Sequence, residues 1–193
     1  MNSIIAKHKE FNIEEIIANN IFKCSYKNKL YIVIKLNPED INYREDLSAL
    51  NKLFHTNVSQ PKLFLVDKKQ GYLVREWLDG VTVFDYILNN DFDENIYKQI
   101  FYNSYSARIA GINLDFNLKS WMIADGKLYY TNLFCEKYNP NSDFTKKMIR
   151  KWFLSEDLRK YYENNGVLFD KSRIKEDYAV NKEMVLMTCK YYI

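Results

Sequence analysis

Glycine is scarce in this chain, with only 5 glycines in 193 residues and none before Gly71. A loop that wraps closely around phosphate groups depends on glycine, because its backbone must approach the ligand without a Cβ in the way. The segment NNIFKCSYKNK, residues 19–29, therefore cannot be a glycine-rich phosphate loop. A phosphate site in this part of the chain would have to be built differently.

Cysteine and histidine are also few. The 3 cysteines, Cys24, Cys135 and Cys189, are widely spaced, and the 2 histidines, His8 and His55, have no cysteine or carboxylate at ligand spacing. A disulfide framework or a zinc site needs clustered residues of these types. The sequence therefore predicts free thiols in a reducing compartment and no zinc site.

Long apolar runs are missing as well. No stretch provides the roughly 20 consecutive apolar residues that span a bilayer. Charged residues interrupt the N-terminal segment MNSIIAKHKEFNIEE too early for a signal peptide. These absences predict a cytoplasmic protein without a membrane partner.

An excess of positive charge is also lacking, since the formal net charge is only +3. Domains that bind nucleic acid are usually far more basic, so a nucleic-acid partner is not expected. The local basic run of Lys146, Lys147, Arg150 and Lys151 is better explained as the solvated face of a helix. An anionic partner for this run stays an alternative.

The first 78 residues are rich in strand signals. Hydrophobic residues make up 47% of the chain, enough for one domain or two closely packed lobes. Alternating runs on either side of Lys27–Lys29 predict a hairpin whose second strand spans 30–36, and residues 62–67 and 72–77 predict another. A helix is predicted from Pro38 through His55, whereas residues 12–23 fit a helix or a strand equally well.

After Gly80 the pattern becomes mostly helical. The predicted helices cover 83–88, 93–109, a segment capped by Ser142 or Asp143 that runs to about Leu154, 155–166 and 171–193. They are interrupted by the segment from Gly111 to Phe134, which has a polar loop carrying Asp115 and then two apolar runs joined by Asp125-Gly126. An Asp-Gly pair between such runs predicts a tight hairpin, which places Asp115 in a loop and Asn132 near the end of the second strand.

Four features now follow one another in order: Lys35 at the end of the strand YIVIK, a glutamate in the next helix, the segment EWLDG, and the loop residue Asp115 before a hairpin. Taken alone, Lys35 is better explained as an exposed lysine at a strand end. This order resembles the protein-kinase-like superfamily, and within it the aminoglycoside and choline phosphotransferases and the small atypical microbial kinases. The resemblance implies an α+β, two-lobed fold. Residues 1–78 would form a small antiparallel β-sheet lobe with one helix, and residues 79–193 a mostly helical lobe with the catalytic-like loop.

The same resemblance implies roles in ATP binding for residues of the first lobe. Lys35 matches the lysine that contacts the α and β phosphates, and Glu45 matches the glutamate that pairs with it, with Glu39 and Asp46 as alternatives. The backbone around Glu76, Trp77 and Leu78 would bind the adenine edge. Asp115 matches the catalytic-loop aspartate, which orients or deprotonates the accepting hydroxyl group.

The positions that should hold magnesium depart from the family pattern. Ser120 stands where the pattern HxDxxxxN has asparagine, Asn113 where it has histidine, and Asn132 where the second metal-binding aspartate belongs. A serine hydroxyl and a neutral amide are weaker Mg²⁺ ligands than a carboxylate. Glu136 and Asp143 are acids that would compensate if they lay nearby, whereas Asp125 is better explained as a turn residue.

Two functions follow from this pattern with similar support. The first is an atypical kinase that transfers phosphate from ATP to a small molecule or protein, with Asn132 and Ser120 as weak metal ligands. The second is a pseudokinase that keeps the fold as a nucleotide-binding or protein-interaction module. An unrelated α+β interaction domain is a third alternative, and the short helical lobe leaves room for a protein partner that completes the acceptor site.

Overall fold

The chain has an α+β architecture, as predicted. A computed structural model describes residues 2–39 and 43–192, and it describes side chains for all of these except residues 43–46. The chain divides into two compact units, the first formed by Met1–Phe54 and Gln60–Asp79 and the second by His55–Ser59 and Gly80–Ile193. Each unit has its own secondary structure.

The first unit is built around six antiparallel strands in the order β1-β2-β3-β4-β6-β5. Its elements are β1 (Ser3–Ala6), β2 (Lys9–Ala18), β3 (Ile21–Tyr26), β4 (Lys29–Lys35), α1 (Tyr43–Phe54), β5 (Leu63–Asp67) and β6 (Tyr72–Glu76). The two hairpins predicted from sequence are β3–β4 and β5–β6. The undecided segment 12–23 is strand, because it forms most of β2 and the start of β3.

Tight turns set the register of this sheet. Lys27 and Asn28 both have positive φ, 50° and 59°, which is the conformation of a two-residue hairpin turn. Lys7 and His8, with φ of 45° and 62°, form the same kind of turn between β1 and β2. This first hairpin has only a weak sequence signal, since most of β2 is exposed and only Phe11 is fully buried.

The sheet is curled, so that its two outermost strands share one hydrophobic cluster. Ile4 and Ala6 of β1 are buried in the same cluster as Leu65 of β5. The backbone N–H of Lys7 also donates a hydrogen bond of 2.8 Å to Asp67 Oδ2, at the end of β5. The two ends of the strand order are therefore tied to each other by packing and by a hydrogen bond.

The second unit combines five short strands with five helices. Its elements are β7 (Val81–Thr82), α2 (Val83–Asn89), α3 (Glu94–Ile109), β8 (Ile112–Leu114), β9 (Trp121–Ala124), β10 (Lys127–Tyr130), β11 (Cys135–Lys137), α4 (Phe144–Lys147), α5 (Glu156–Asn164) and α6 (Asp177–Tyr191). The strands form a three-stranded sheet in the order β10-β9-β7 and a β11-β8 pair. Short 3-10 turns cover Leu118–Ser120, Pro140–Ser142, Ile149–Trp152 and Lys171–Arg173.

Local signals explain most of these boundaries. Asp93 caps α3 by accepting a 2.8 Å hydrogen bond from the N–H of Ile96, as predicted. Asp125 and Gly126 have φ of 49° and 70° and form the predicted hairpin turn between β9 and β10. Ser155 caps α5 through the N–H of Leu158.

The helix predicted over 143–154 is wrong. The structure has the single turn α4, followed by the 3-10 segment Ile149–Trp152. Phe144, Ile149, Trp152 and Phe153 are all buried, and a continuous α-helix would spread these four side chains over about half of its circumference. The 3-10 segment instead buries Ile149 and Trp152, and Phe153 follows it in an extended conformation.

Across the described residues, no helix has both the length and the apolar character that crossing a membrane requires.

Candidate functional site

Three aromatic side chains hold the backbone of the loop that follows β8. Trp121 Nε1 donates to the carbonyl of Asp115 at 2.9 Å, and Trp152 Nε1 donates to the carbonyl of Phe116 at 2.9 Å. The hydroxyl of Tyr130 accepts from the N–H of Asp115 at 3.1 Å. Because all three rings are buried, the loop is fixed before any ligand arrives.

The half-buried Asp115 carboxylate is the centre of a compact polar cluster. Its Oδ2 accepts hydrogen bonds from Ser120 Oγ at 2.6 Å and from Asn132 Nδ2 at 3.2 Å, and its Oδ1 accepts from the N–H of Asn117 at 3.0 Å. Asn132 Nδ2 also lies 3.1 Å from Ser120 Oγ. The structure thus brings together three of the predicted site residues, Asp115, Ser120 and Asn132.

The amide of Asn132 has a defined orientation in this cluster. Its Oδ1 accepts hydrogen bonds from the backbone N–H groups of Leu133 at 2.7 Å and Phe134 at 3.1 Å. Those two donors fix which end of the amide is oxygen, since a flipped amide would place NH₂ against N–H. Asn132 therefore presents its NH₂ group, and not its oxygen, to Asp115.

This donor set does not fit a magnesium ion. Mg²⁺ requires hard oxygen ligands in near-octahedral geometry. Here the Asn132 oxygen already accepts two N–H groups, and the Ser120 hydroxyl donates its proton to Asp115. In the part of the chain that the structure describes, no group of three His, Cys, Asp or Glu side chains is placed to hold a metal.

A second layer of residues supports Asp115 through Asn117. The hydroxyl of Tyr161 donates to Asn117 Oδ1, and the N–H of Lys119 donates to the same oxygen at 3.1 Å. Burial raises the pKa of Tyr161 to about 12, and the nearby charge of Asp115 adds to this effect. Tyr161 therefore stays protonated and remains a donor at neutral pH.

A cavity of about 510 Å³ opens beside this cluster. Leu114 and Phe116 supply buried apolar surface, Asp115 contributes its carboxylate, and Glu136 and Lys147 contribute exposed charges of opposite sign. Glu136, one of the two acids suggested by the sequence, therefore lies at the site, whereas Lys147 was predicted only as part of a solvated helix face.

The second suggested acid, Asp143, has a structural role. It is buried and accepts hydrogen bonds from the hydroxyls of Tyr192 at 2.7 Å and Tyr138 at 3.0 Å, and from the N–H of Thr145 at 2.9 Å. Burial raises its pKa, but these hydrogen bonds outweigh burial and hold the pKa below 3.8. Asp143 thus caps α4 as an anion.

The predicted phosphate-binding residues lie in the first unit. Lys35 is the last residue of β4, its side chain is exposed, and its N–H donates 2.8 Å to the carbonyl of Asn20 in the β2–β3 turn. Glu39 is exposed. Glu45 and the alternative Asp46 belong to α1, but their side chains lie outside the described residues.

The predicted adenine-binding segment follows β6. Glu76 Oε1 accepts a hydrogen bond of 2.9 Å from the N–H of Lys62, and the N–H of Trp77 donates to a carbonyl of β4. The ammonium of Lys23 lies 4.5 Å from the centroid of the Trp77 ring, a cation–π contact that sequence reasoning missed. Leu78 is half-buried.

No model of a known protein family matches this chain, and no curated protein matches it in sequence. The functional proposal for this chain therefore rests on the arrangement of its own side chains. Within the second unit, that arrangement consists of one fixed carboxylate, two neutral donors at the expected metal positions and an adjacent cavity.

Proposed function

We propose that this chain is a divergent kinase-like protein that binds nucleotide and a small ligand without magnesium, a pseudokinase in its chemistry. One observation carries the proposal. Ser120 and Asn132, at the positions where the resemblance implies metal ligands, both donate hydrogen bonds to Asp115. The two side chains that would bind a metal instead donate hydrogen bonds to the Asp115 carboxylate.

The kinase-like resemblance gains support from the same cluster. Ser120 follows Asp115 by 5 residues and Asn132 follows it by 17, yet all three side chains meet. The resemblance required this meeting of the loop aspartate, the residue five positions later and the residue after the hairpin. The β9–β10 pairing by itself returns Asn132 to Ser120, so the meeting of both side chains with the Asp115 carboxylate is the part that supports the resemblance.

The nucleotide part of the proposal is supported by residues of the first unit. Lys35 is exposed, and its backbone N–H donates a hydrogen bond to the β2–β3 turn. An exposed lysine ammonium is available to phosphate oxygens. The resemblance assigns this role to Lys35 and assigns adenine binding to the backbone of Glu76–Leu78. Without a metal, the lysine supplies the main positive charge for the phosphates.

Phosphotransfer from ATP to a small molecule or protein is the second candidate function. It is favoured by the remaining capacity of Asp115, because a carboxylate has about four lone-pair positions and the cluster uses three. Asp115 would accept the proton of the acceptor hydroxyl while that oxygen forms the new bond to the γ-phosphorus. The bond from the γ-phosphorus to the β–γ bridging oxygen would break, and ADP would leave.

Thermal unfolding with nucleotide tests the proposal. ATP should raise the melting temperature equally in EDTA and in Mg²⁺, with about 2.7 kcal/mol of stabilisation at a hundredfold excess over Kd. Lys35→Ala should abolish the shift, whereas Lys29→Ala at the exposed start of the same strand should keep it. The absence of any shift with nucleotide would overturn the proposal.

Radiolabelled ATP separates the two candidate functions. The proposed binding module should give no phosphorylated product and no ADP above background. Turnover that depends on Mg²⁺ and disappears in Asp115→Ala would instead select the phosphotransferase.

A further inference from the structure

The cavity beside Asp115 has the size of a small-molecule site. Its volume of about 510 Å³ lies in the usual range of roughly 300–1,000 Å³ for ligand pockets. Three segments of the second unit supply its walls: residues 113–116, 132–136 and 142–148. Apolar surface from Leu114 and Phe116 combines with a few polar groups, which is typical of a site for one small ligand.

Two exposed side chains of opposite charge, Glu136 and Lys147, lie on its wall. Among the described residues, neither Glu136 nor Lys147 has an ion-pair or hydrogen-bonding side-chain partner. The nearby Arg150, by contrast, is paired with both Asp157 and Asp177. The cavity therefore offers one anionic and one cationic group to the same ligand.

Asp115 adds a third requirement. Its charge has only neutral donors around it, and about one lone-pair position remains after the three hydrogen bonds within the cluster. This position accepts one O–H or N–H donor and repels a carboxylate. The role that the resemblance gives to Asp115 is what selects a hydroxyl.

We propose that this cavity binds a small hydroxylated amino acid. Glu136 binds the ammonium group, Lys147 binds the carboxylate, and Asp115 accepts a hydrogen bond from the hydroxyl. The inference deepens the proposed function and rests on it in taking Asp115 as the group that faces the ligand hydroxyl. A simple amine would leave Lys147 unpaired, and a simple hydroxy acid would leave Glu136 unpaired.

Isothermal titration in EDTA tests the ligand class with L-serine, L-threonine and L-homoserine as probes. At least one should bind at least tenfold more tightly than three comparators that each lack one group: L-alanine without the hydroxyl, ethanolamine without the carboxylate and glycerate without the ammonium. Binding of ethanolamine or glycerate as tight as that of every hydroxy amino acid would overturn the inference, as would no binding by any probe.

Variants of the cavity wall assign each contact. Lys147→Gln and Glu136→Gln should each weaken the best probe about tenfold or more, while the exposed neighbours Lys146→Gln and Lys137→Gln should not. Asp115→Asn should reduce the preference for the hydroxylated amino acid over alanine. Equal loss in the neighbours, or none in the wall variants, would contradict the assignment. Circular dichroism of each variant confirms that it is folded.

Nucleotide binding keeps the two proposals separable. If ATP gives a shift that depends on Lys35 but no hydroxy amino acid binds, the cavity inference fails and the proposed function stands. If a hydroxy amino acid binds with the expected variant pattern but ATP does not, the nucleotide function fails and the cavity inference stands.

Discussion

Asp115 shows how a single carboxylate can be held by neutral groups alone. Each of its three hydrogen bonds goes to a charged acceptor, a class worth about 1.5–3 kcal/mol each. In a metal-dependent site, part of that stabilisation would come from the cation. Here it comes from a hydroxyl, an amide and a backbone N–H, so the site keeps its shape without a bound ion.

The residue at position 132 determines whether Asp115 is stabilised by a neutral donor or needs a cation. Asn132→Asp should place a second carboxylate against Asp115 and remove one donor, so the pKa of one of the two carboxyl groups should rise. We expect a loss of about 1–3 kcal/mol in the free energy of unfolding at pH 7.5 in EDTA. A raised folded-state pKa means that the deficit shrinks as pH falls toward 5.

Urea unfolding at the two pH values, with and without Mg²⁺, measures this change. Mg²⁺ should recover part of the lost stability, because the variant gains a carboxylate ligand. Asn141→Asp, in an exposed turn, adds the same charge and should show neither the loss nor the recovery. An Asn132→Asp variant as stable as the parent at pH 7.5 would mean that Asn132 does not donate to Asp115.

Thiol reactivity should differ sharply among the cysteines. Burial, with a smaller contribution from the charge of Glu14, raises the pKa of Cys24 to about 11, and Cys189 is exposed. The thiolate is the reactive form, so a thiol reagent at pH 8 should label Cys189 rapidly and Cys24 only after unfolding. Peptide mapping of the labelled protein measures this, and rapid labelling of Cys24 in the folded chain would contradict its burial.

The candidate site was predictable where its signals are local. Asp115 lies in a loop before an Asp-Gly hairpin, and the hairpin geometry returns Asn132 to that loop. The support from Tyr161 was not predictable, because it reaches Asn117 across 44 residues and no local pattern links them. The lack of an ion-pair partner for Lys147 also depends on the fold. Its neighbour Arg150 pairs with two carboxylates, whereas Lys147 pairs with none among the described residues.

At the scale of elements, turns depend on glycine where the backbone is crowded. Gly71 has φ of 74°, and a Cβ there would lie 2.5 Å from the carbonyl oxygen of Leu36. Gly126 has φ of 70° but no atom within 4 Å of such a Cβ. A side chain at either position would therefore carry the cost of a positive φ. Only at Gly71 would it also clash with neighbouring atoms.

Alanine substitution separates these two costs. Gly126→Ala should lower the free energy of unfolding by about 1–2 kcal/mol, the cost of a left-handed residue with a Cβ. Gly71→Ala should lower it further, because the Leu36 carbonyl belongs to the backbone and cannot move aside cheaply. Urea unfolding of both variants measures the difference, and equal losses would show that the chain relaxes around Gly71.

Elements were predictable where periodicity and turn chemistry agree. The β3–β4 and β9–β10 hairpins have both signals and appear as expected. The β1–β2 hairpin was missed because its turn, at Lys7 and His8, contains no glycine or asparagine. The helix expected over 143–154 failed because tertiary burial of its four large side chains outweighs local helix propensity.

At the scale of the whole molecule, buried carboxylates should control acid stability in both units. Asp67 accepts backbone hydrogen bonds from Lys7, Gln70 and Lys69, which lower its pKa against the effect of burial. The pKa of Asp143 in the second unit is also lowered. Lowered folded-state pKa values stabilise the fold above pH 3.8, and this contribution is lost as pH falls through them.

Neutral substitutions test this pH dependence. Asp67→Asn and Asp143→Asn should each reduce stability at pH 7 more than at pH 3, so that the acid limb of the stability curve becomes flatter. Urea unfolding at the two pH values gives the comparison, with Asp79→Asn as an exposed control. A variant that loses the same stability at both pH values would assign its carboxylate a purely steric role.

The curl of the first sheet also protects the chain from other copies of itself. Outer strands usually expose unpaired backbone groups that recruit strands of another molecule, which is a common origin of aggregation. Here Ile4 and Ala6 of β1 share one buried cluster with Leu65 of β5, and the Lys7–Asp67 hydrogen bond joins the ends of the two strands. Loss of the Lys7–Asp67 hydrogen bond should therefore lower the solubility of the protein, because an opened sheet would expose two edge strands to other molecules.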